Sequence, residues 1–521
     1  STRVRSSAAS DVYKRQDKKL LYSLLLLWTI VSVTAYAQPD SIIVGEYLSK
    51  INKYENHLRQ FFAEMPKGGD LHNHLTGAAY AETYFKLAAE DGLWVDMATG
   101  KLYQPKDSTK GKDMVSLSPD MPNLHNTRIS LIDKWSIRNF NPGKFPLGAD
   151  EYFFGTFGLF NTIAGKHTVE LMRELRKRAA RENVQYLEIM LSSPGINAAK
   201  IDELCGKGFY DRYNAQLQQA IREDVERTKG REGTDKVLAE VFREWSKMPA
   251  MDEWVNRYVA YIDSIDVHST LSSGYNRAPV CYYQGYASRN SAPLVVYAQL
   301  YVAFKSCLKE GSKLVGVNIV SAENSETAIE DYTAHMKMFR YLDKATGNKV
   351  NTSLHAGELT LGLVEPEEMC SHIREAVFVA GADRIGHGVD VAFEESSISL
   401  LNEMRKRRVP VEINLTSNEF ILGVKDDAHP FMLYRQADVP IVISTDDPGI
   451  LRTNLTQQYV LATLRYALGY YEVKQLVRNS IRFGFMPDAE KVALLKRVEK
   501  EFASFEKMWR KNIETINKWE D

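Results

Sequence analysis

The chain is predicted to be an α/β protein: a (β/α)8 (TIM) barrel with an N-terminal helix, a loop-rich insertion after strand 1 and C-terminal helices. Three observations predict it. Eight short apolar, β-favouring runs alternate with stretches whose apolar residues recur at helical spacing. Histidines and carboxylates fall at the C-terminal ends of those runs, where such barrels place their chemistry. The first run ends in Leu71-His72-Asn73-His74-Leu75-Thr76-Gly77, and residues two apart in a strand share a face, so two imidazoles stand side by side.

Residues 1–37 are set apart from the fold. Ser6 to Gln16 resembles an in-frame translation of a sequencing-library adapter. Lys18 and Lys19, the apolar run 20–33 and Ala35-Tyr36-Ala37 then form a signal-peptide pattern. The run is shorter than the ~20 residues a spanning helix needs. The expectation is therefore export to the periplasm or medium of a bacterium, with no stable membrane anchor after cleavage; a signal anchor is the alternative.

Residues 38–66 form an N-terminal helical arm, with Ile42, Val44, Tyr47, Leu48, Ile51, Leu58, Phe61 and Phe62 at helical spacing. The barrel spans 67–488. Strand 1 runs into Leu71, a helix follows Gly77, and about 91–148 is rich in Gly, Pro, Asp, Asn and Lys, which marks the insertion. Residues 184–191, 266–273, 314–320, 351–354, 384–386, 410–415 and 440–444 supply strands 2 to 8, with helical stretches between most of them. Residues 489–521 are charged and helical, and pack as one or two terminal helices.

Composition narrows the function. A length of 521 residues suits two or three average domains or one elaborated barrel, and 44% apolar with 26% charged residues is ordinary for a globular core. A net charge of −1 and the lack of a basic tract give no case for nucleic acid. Four cysteines without CxxC spacing are neither a zinc ribbon nor a disulfide framework.

The chemistry-bearing residues form one set. His72 and His74 are half of a metal site; the bland alternative, a hydrogen-bonded pair at a sheet edge, is disfavoured by their place at the opening of a barrel. His355 follows an apolar stretch as the third nitrogen ligand, and Asp446 supplies oxygen. Three His and one Asp leave a position for water, as one catalytic Zn2+ per chain requires. Glu358, past Gly357, is placed as a proton shuttle, and His387, between Gly386 and Gly388, as a base for the attacking water. Asp447, at a strand end before Pro448, turns toward the same cavity. His429 is expected to be structural or at the pocket rim. His57, His125, His167, His268, His335 and His372 lack ligand spacing, although His268 on strand 3 could face the barrel.

With these residues assembled, the chain resembles the adenosine deaminase family, most closely its secreted growth-factor-like branch. MPKGGDLHNHLTG, SLHAGE, RIGHG and STDDP occur in family order between about residues 65 and 487, with NVQYLEI and INLTSNEF in support. The resemblance implies zinc-dependent deamination of adenosine or 2′-deoxyadenosine to inosine or 2′-deoxyinosine plus ammonia. It implies zinc ligands at His72, His74, His355 and Asp446. Glu358 would protonate purine N1, His387 would serve the hydroxide, and Asp447 would engage N7 and the water. The N-terminal helix and the insertion also look like that branch, where they are implicated in dimerisation and receptor-like contacts, so a homodimer through the helix is expected.

Two departures touch substrate binding. Thr76 stands where the family often has an Asp that contacts the ribose, and Ser321 where it has a Gly whose N–H meets purine N3. With Gly357 and Asp447 they complete the expected substrate-binding set. They favour the alternative of another aminopurine or a modified adenosine. A catalytically silent secreted nucleoside-binding protein is the reading from another class, and the intact ligand set argues against it. Binuclear amidohydrolases bridge their metals with a strand-4 lysine, and Lys313 lies at the wrong end of that strand.

Overall fold

The strand that carries the His-Asn-His motif is also the strand at which the barrel closes. In a computed structural model, residues 39–105, 113–145, 147–193, 195–226, 232–272 and 278–520 are described, so the leader lies outside them. Eight parallel strands line up in chain order: β1 (Gly69–His74), β2 (Tyr186–Ser192), β3 (Val280–Ser288), β4 (Leu314–Val320), β5 (Asn351–Ala356), β6 (Arg384–His387), β7 (Val411–Ile413) and β8 (Ile441–Ile443). Closure is made past the end of β8. Asp446 N–H donates to His72 O at 2.8 Å and His74 N–H to Asp446 O at 3.0 Å, forming a parallel bridge between Asn73 and Asp446. Two of the expected ligand-bearing segments are thus stitched together by backbone before any side chain is considered.

β1 is not regular. Its register against β2 shifts between Asp70 and Asn73, a bulge, which is a common device for re-aiming side chains beside a site. The strands are buried on both faces, as expected of a barrel wrapped in helices, and read as apolar runs rather than alternating ones.

One strand lies elsewhere than expected. Residues 266–269 continue the helix Pro249–Ser269, because Ile262, Ile265 and Ser269 lie on its buried stripe. The third strand is Val280–Ser288, whose sequence VCYYQGYAS hides a fully wrapped strand behind tyrosines, a Gln and a Gly. His268 accordingly sits at a helix end with its Nδ1–H on Ser264 O at 2.7 Å, exposed and away from the barrel. Lys313 precedes β4 and lies over the Tyr282 ring at 4.4 Å, at the end opposite the motifs.

The N-terminal arm is two helices, Pro39–Ile51 and Glu55–Glu64. Their apolar face packs on the single C-terminal helix Asp488–Glu520, with Phe61 4.9 Å from Trp509 and 5.1 Å from Phe505 between ring centroids. Full burial of each such ring contributes on the order of 2–3 kcal/mol. The insertion is more ordered than its composition suggests. It holds an antiparallel sheet of Trp94–Asp96, Leu102–Tyr103 and Met114–Ser116, then the helix Leu124–Lys134. It reaches the C-terminal mouth of the barrel, where Ile137 N–H donates to Ile450 O at 3.0 Å and Phe140 packs on Phe420 at 5.0 Å.

Candidate active site

His72, His74, His355 and Asp446 converge: one ligand atom from each lies within 4.8 Å of all the others. His74 Nε2 and His355 Nε2 face each other at 3.1 Å, and Asp446 Oδ1 is 3.4 Å from His74 Nε2 and 3.6 Å from His72 Nε2. Outer partners set two of the rings. His72 Nδ1–H donates to Glu412 Oε2 at 2.7 Å and His355 Nδ1–H to Asn318 Oδ1 at 2.9 Å, which leaves both Nε2 lone pairs aimed at the centre. Asn318 Oδ1 also accepts the backbone N–H of His355 at 3.3 Å, where the β4–β5 ladder has already ended at Val317 and Thr352.

These residues fit a divalent cation. His72 Nε2 is buried with no hydrogen-bond partner among the described residues, an orphan that a cation would satisfy. Charge points the same way. Burial opposes a proton on His72, but Asp446 and Glu412 outweigh it and raise the group to about 10. Burial, only partly opposed by Asp446, lowers His74 to about 4, and burial with the neighbouring imidazoles holds His355 well below the usual range. The cluster draws in positive charge, and protons serve only one of its three rings. Three nitrogens and one carboxylate oxygen are a donor set suited to zinc.

Glu358, His387 and Asp447 surround the cluster. Glu358 Oε1 is 3.3 Å from His387 Nδ1, and ligand atoms of Glu358, His387 and Asp446 also lie within 4.8 Å of one another. Burial, then the Asp446 and Glu323 charges, raise Glu358 well above the usual carboxyl range, which favours its protonated form. Burial and Asp446 likewise raise Asp447. Burial alone would raise Asp446 too, but His72, His387 and His74 hold it ionised. Asp447 presses against the chain after β1: a Cβ on Gly77 would lie 1.6 Å from Asp447 Oδ1, so only glycine fits there.

His387 is held by a chain of hydrogen bonds. Phe431 N–H donates to His429 Nδ1 at 3.1 Å, His429 Nε2–H to Asn418 Oδ1 at 3.1 Å, and Asn418 Nδ2–H to His387 Nδ1 at 3.0 Å. Burial lowers both histidines to about 3, so both are neutral. Each link then fixes the next, and the His387 proton belongs on Nε2, which is buried without a protein partner among the described residues. His429 is structural, as expected, but its contact is with the group behind His387. The backbone is strained at this end: Ser321, His387 and Asp446 have φ of 85°, 67° and 64°. Such conformations persist where the surrounding structure enforces them, often at functional sites.

The substrate-side residues are placed as follows. Thr76 lies in the short helix Leu75–Ala78, half-buried, with its carbonyl accepting from Tyr84 O–H at 2.6 Å. Ser321 keeps a glycine-like backbone, and its Oγ is 2.8 Å from Ser288 Oγ. The Gly357 N–H is already committed, to Glu323 at 3.0 Å.

Reading the motifs alone misses Glu412, Asn318, Glu323, Arg289 and Asn418. A signal existed for two of the buried acids. Glu188 in YLEIML and Glu412 in VPVEI stand inside otherwise apolar runs, where a carboxylate must be paired. The structure pairs both with Arg384, itself buried and stacked 3.6 Å from the Phe485 ring.

Comparison with known proteins bears on family and fold. The adenosine deaminase family model matches residues 299–501. The adenosine deaminase of Clostridium perfringens is 26% identical over 188 residues, 36% of this chain and 53% of the relative. The aminodeoxyfutalosine deaminase of Streptomyces coelicolor is 29% identical over 160 residues, 30% of this chain and 38% of the relative. The chain thus spans about half the length, or less, of these curated relatives. Among solved structures, arabidopsis ADAL complexed with IMP superposes with a TM-score of 0.52 at 18% identity, over 85% of this chain and 98% of that one. That likeness bears on the fold, and it is the fold described above.

Proposed function

We propose that this chain, which belongs to the adenosine deaminase family, hydrolytically deaminates a 6-aminopurine nucleoside, adenosine or 2′-deoxyadenosine, using one zinc ion. The observation that carries this reading is a buried Glu358 carboxyl, in a setting that favours its protonated form, 3.3 Å from His387 at the rim of a cluster of three histidines and one aspartate. His72, His74, His355 and Asp446 would hold the cation, which as a Lewis acid makes water nucleophilic at neutral pH. The remaining work falls to the chain. Glu358 gives its proton to purine N1 as water oxygen adds to C6, which relieves the negative charge that addition pushes into the ring. His387, neutral with its proton on Nε2, orients the attacking oxygen. Asp447, whose ionised form the charge of a bound cation would favour, takes one water proton and passes it to the amino nitrogen; as the C6–N bond breaks and ammonia leaves, the remaining hydroxyl proton returns to Glu358 and a 6-oxopurine is left.

A second reading, another aminopurine or a modified adenosine, is favoured by Thr76 and by the Ser321–Ser288 hydroxyl pair. Both lie where the family's sugar- and base-contacting groups are expected. Export through the leader, and a homodimer through the outward side of the arm, where Ile42 and Tyr54 are exposed, complete the proposal.

The test is release of the 6-amino group, as ammonia or, from N6-methyl-AMP, as methylamine, across a panel of adenosine, 2′-deoxyadenosine, adenine and N6-methyl-AMP, with and without chelator. Chelator-sensitive release from the nucleosides is expected. Release from adenine or N6-methyl-AMP alone would move the assignment to the second reading. Release from none, in zinc-loaded protein, would sink both.

A further inference from the structure

We propose that Glu323 is a positioning residue, a buried carboxylate that fixes the Gly357–Glu358 turn and so sets where the Glu358 carboxyl meets its substrate. The inference rests on Glu358 acting as the proton donor proposed above.

Glu323 follows β4 by three residues and is 2% exposed. Its two oxygens meet four groups. Oε1 accepts the N–H of Gly357 at 3.0 Å and Nδ1–H of His372 at 2.6 Å; Oε2 accepts the N–H of Glu358 at 3.0 Å and pairs with Arg289 Nη1 at 3.3 Å. Burial alone would raise its pKa, but Arg289 and His372 outweigh burial and bring it to about 2, so it is ionised.

The turn needs an outside hold because it has little of its own. Gly357 has φ +76° and no side chain, and a Cβ there would lie 2.3 Å from Asp390 Oδ1 and 2.7 Å from Ile373. Its carbonyl is taken from the other side by Val389 N–H at 2.7 Å and Asp390 N–H at 3.2 Å. Two residues earlier, Arg289 Nη2 donates to His355 O at 2.5 Å. Residues following β3, β4 and β6 thus hold successive peptide groups of His-Ala-Gly-Glu, and Glu323 alone takes both N–H groups of the turn. His372 is itself fixed, with its ring stacked on Tyr332 at 3.6 Å and 5° and its carbonyl accepting from Tyr332 O–H at 2.8 Å.

The chemistry of the contact gives the test. All four groups around Glu323 are donors, and only a carboxylate presents two acceptor oxygens. In Glu323→Gln one oxygen becomes an NH2 that faces donors, so at least one turn N–H is left unpaired in a dry site. In Glu323→Asp both acceptors remain, but drawn back by one methylene. A displacement of the order of an ångström at a proton donor costs roughly 10²-fold in rate.

The experiment is steady-state kinetics of the zinc-loaded full chain as wild type, E323Q, E323D, E358Q and E323Q/E358Q, with zinc content measured for each. Amide hydrogen exchange at Gly357 and Glu358 is followed in wild type, E323Q and E323D. The expected result is a fall in kcat of about 10²-fold in E323Q with KM within about threefold and zinc unchanged. E323D falls less than E323Q, exchange at the two amides is faster in both variants, and E323Q/E358Q is no slower than E358Q. A group that acts only through Glu358 has nothing left to lose once Glu358 is gone. Losses that multiply in the double variant, wild-type kcat in E323Q, or unchanged amide exchange would each overturn the proposal. If E323Q does not fold, E323D carries the same tests of rate and exchange. If wild type deaminates nothing, the reading of function has failed, while amide exchange still decides whether Glu323 holds the turn.

Discussion

The mouth of this barrel has two unlike walls. β1, β5 and β6, with the segment after β8, end in His74, His355, His387 and Asp446, titratable groups drawn into one cluster. β2 and β3 end in Ser192 and Ser288, and β4 is followed by Ser321. Ser288 and Ser321 pair with each other, and Ser192 bonds Tyr286. The difference teaches how labour is divided around a symmetric scaffold. One wall is held in place by buried charge (Arg384, Glu412, Glu323) and is suited to bond-breaking. The other offers neutral hydroxyls, suited to recognising a neutral polar ligand.

If that division holds, substitutions on the titratable wall fall on kcat and metal, and those on the hydroxyl wall on KM and substrate ranking. The largest effect is expected from His355→Ala: a ligand is lost, zinc per chain falls well below one, and activity drops by more than roughly 10⁴-fold. Elemental analysis beside a rate measurement checks both. Glu358→Gln should keep its zinc and lose about 10²–10⁴-fold in kcat, the usual range for removing a general acid. Retained activity with bound zinc would take Glu358 out of the mechanism.

Glu412→Gln is expected to act one layer out. Loss of the His72 partner should weaken zinc binding by about 10–100-fold, read by chelator competition. It should also weaken the fold, because Arg384 loses one of its two carboxylates. Its pH dependence has a definite sign. Glu412 is held near 2 in the folded chain, where burial is outweighed by Arg384 and His72, against an ordinary value of 4.5. Its contribution, roughly 3 kcal/mol, is therefore present above pH 4.5 and lost as pH falls through 2. Acid unfolding of E412Q should lack that part of the wild-type slope. The smallest effect is expected from Ser321→Gly, which places glycine at a backbone already suited to it. A change within about tenfold, in KM rather than kcat, with altered preference among nucleosides, would support the division. A large kcat loss there would break it.

The two walls also differ in how far the sequence discloses them. His72, His74, His355, Glu358, His387, Asp446 and Asp447, which the fold brings together, stand out in the sequence as candidates, because titratable residues after apolar runs are rare and each run ends where a barrel strand should. The hydroxyl wall does not. Serine is ordinary in loops, and β3 itself was displaced, since the β-branched residues near 266–273 resemble a strand while VCYYQGYAS does not. Ser321 stands out only through the family resemblance; its left-handed backbone and its bond to Ser288 belong to the fold. The clamps behind the site were hidden for a further reason. Glu323 and Asn418 act on groups 34 and 31 residues away in the chain, and no local pattern encodes such a pairing. Glu412 was readable in principle, as a charge in a buried strand, though its partner was not.

The proposed deamination puts Glu358, as proton donor, beside four residues suited to hold zinc. The most direct test is ultraviolet absorbance of adenosine against time with the zinc-loaded chain, run beside E358Q at the same zinc content. The account predicts conversion of the adenosine spectrum to that of inosine by wild type, slowed at least 10²-fold in E358Q. An unchanged spectrum with wild type holding one zinc, or equal rates in the two proteins, would contradict it.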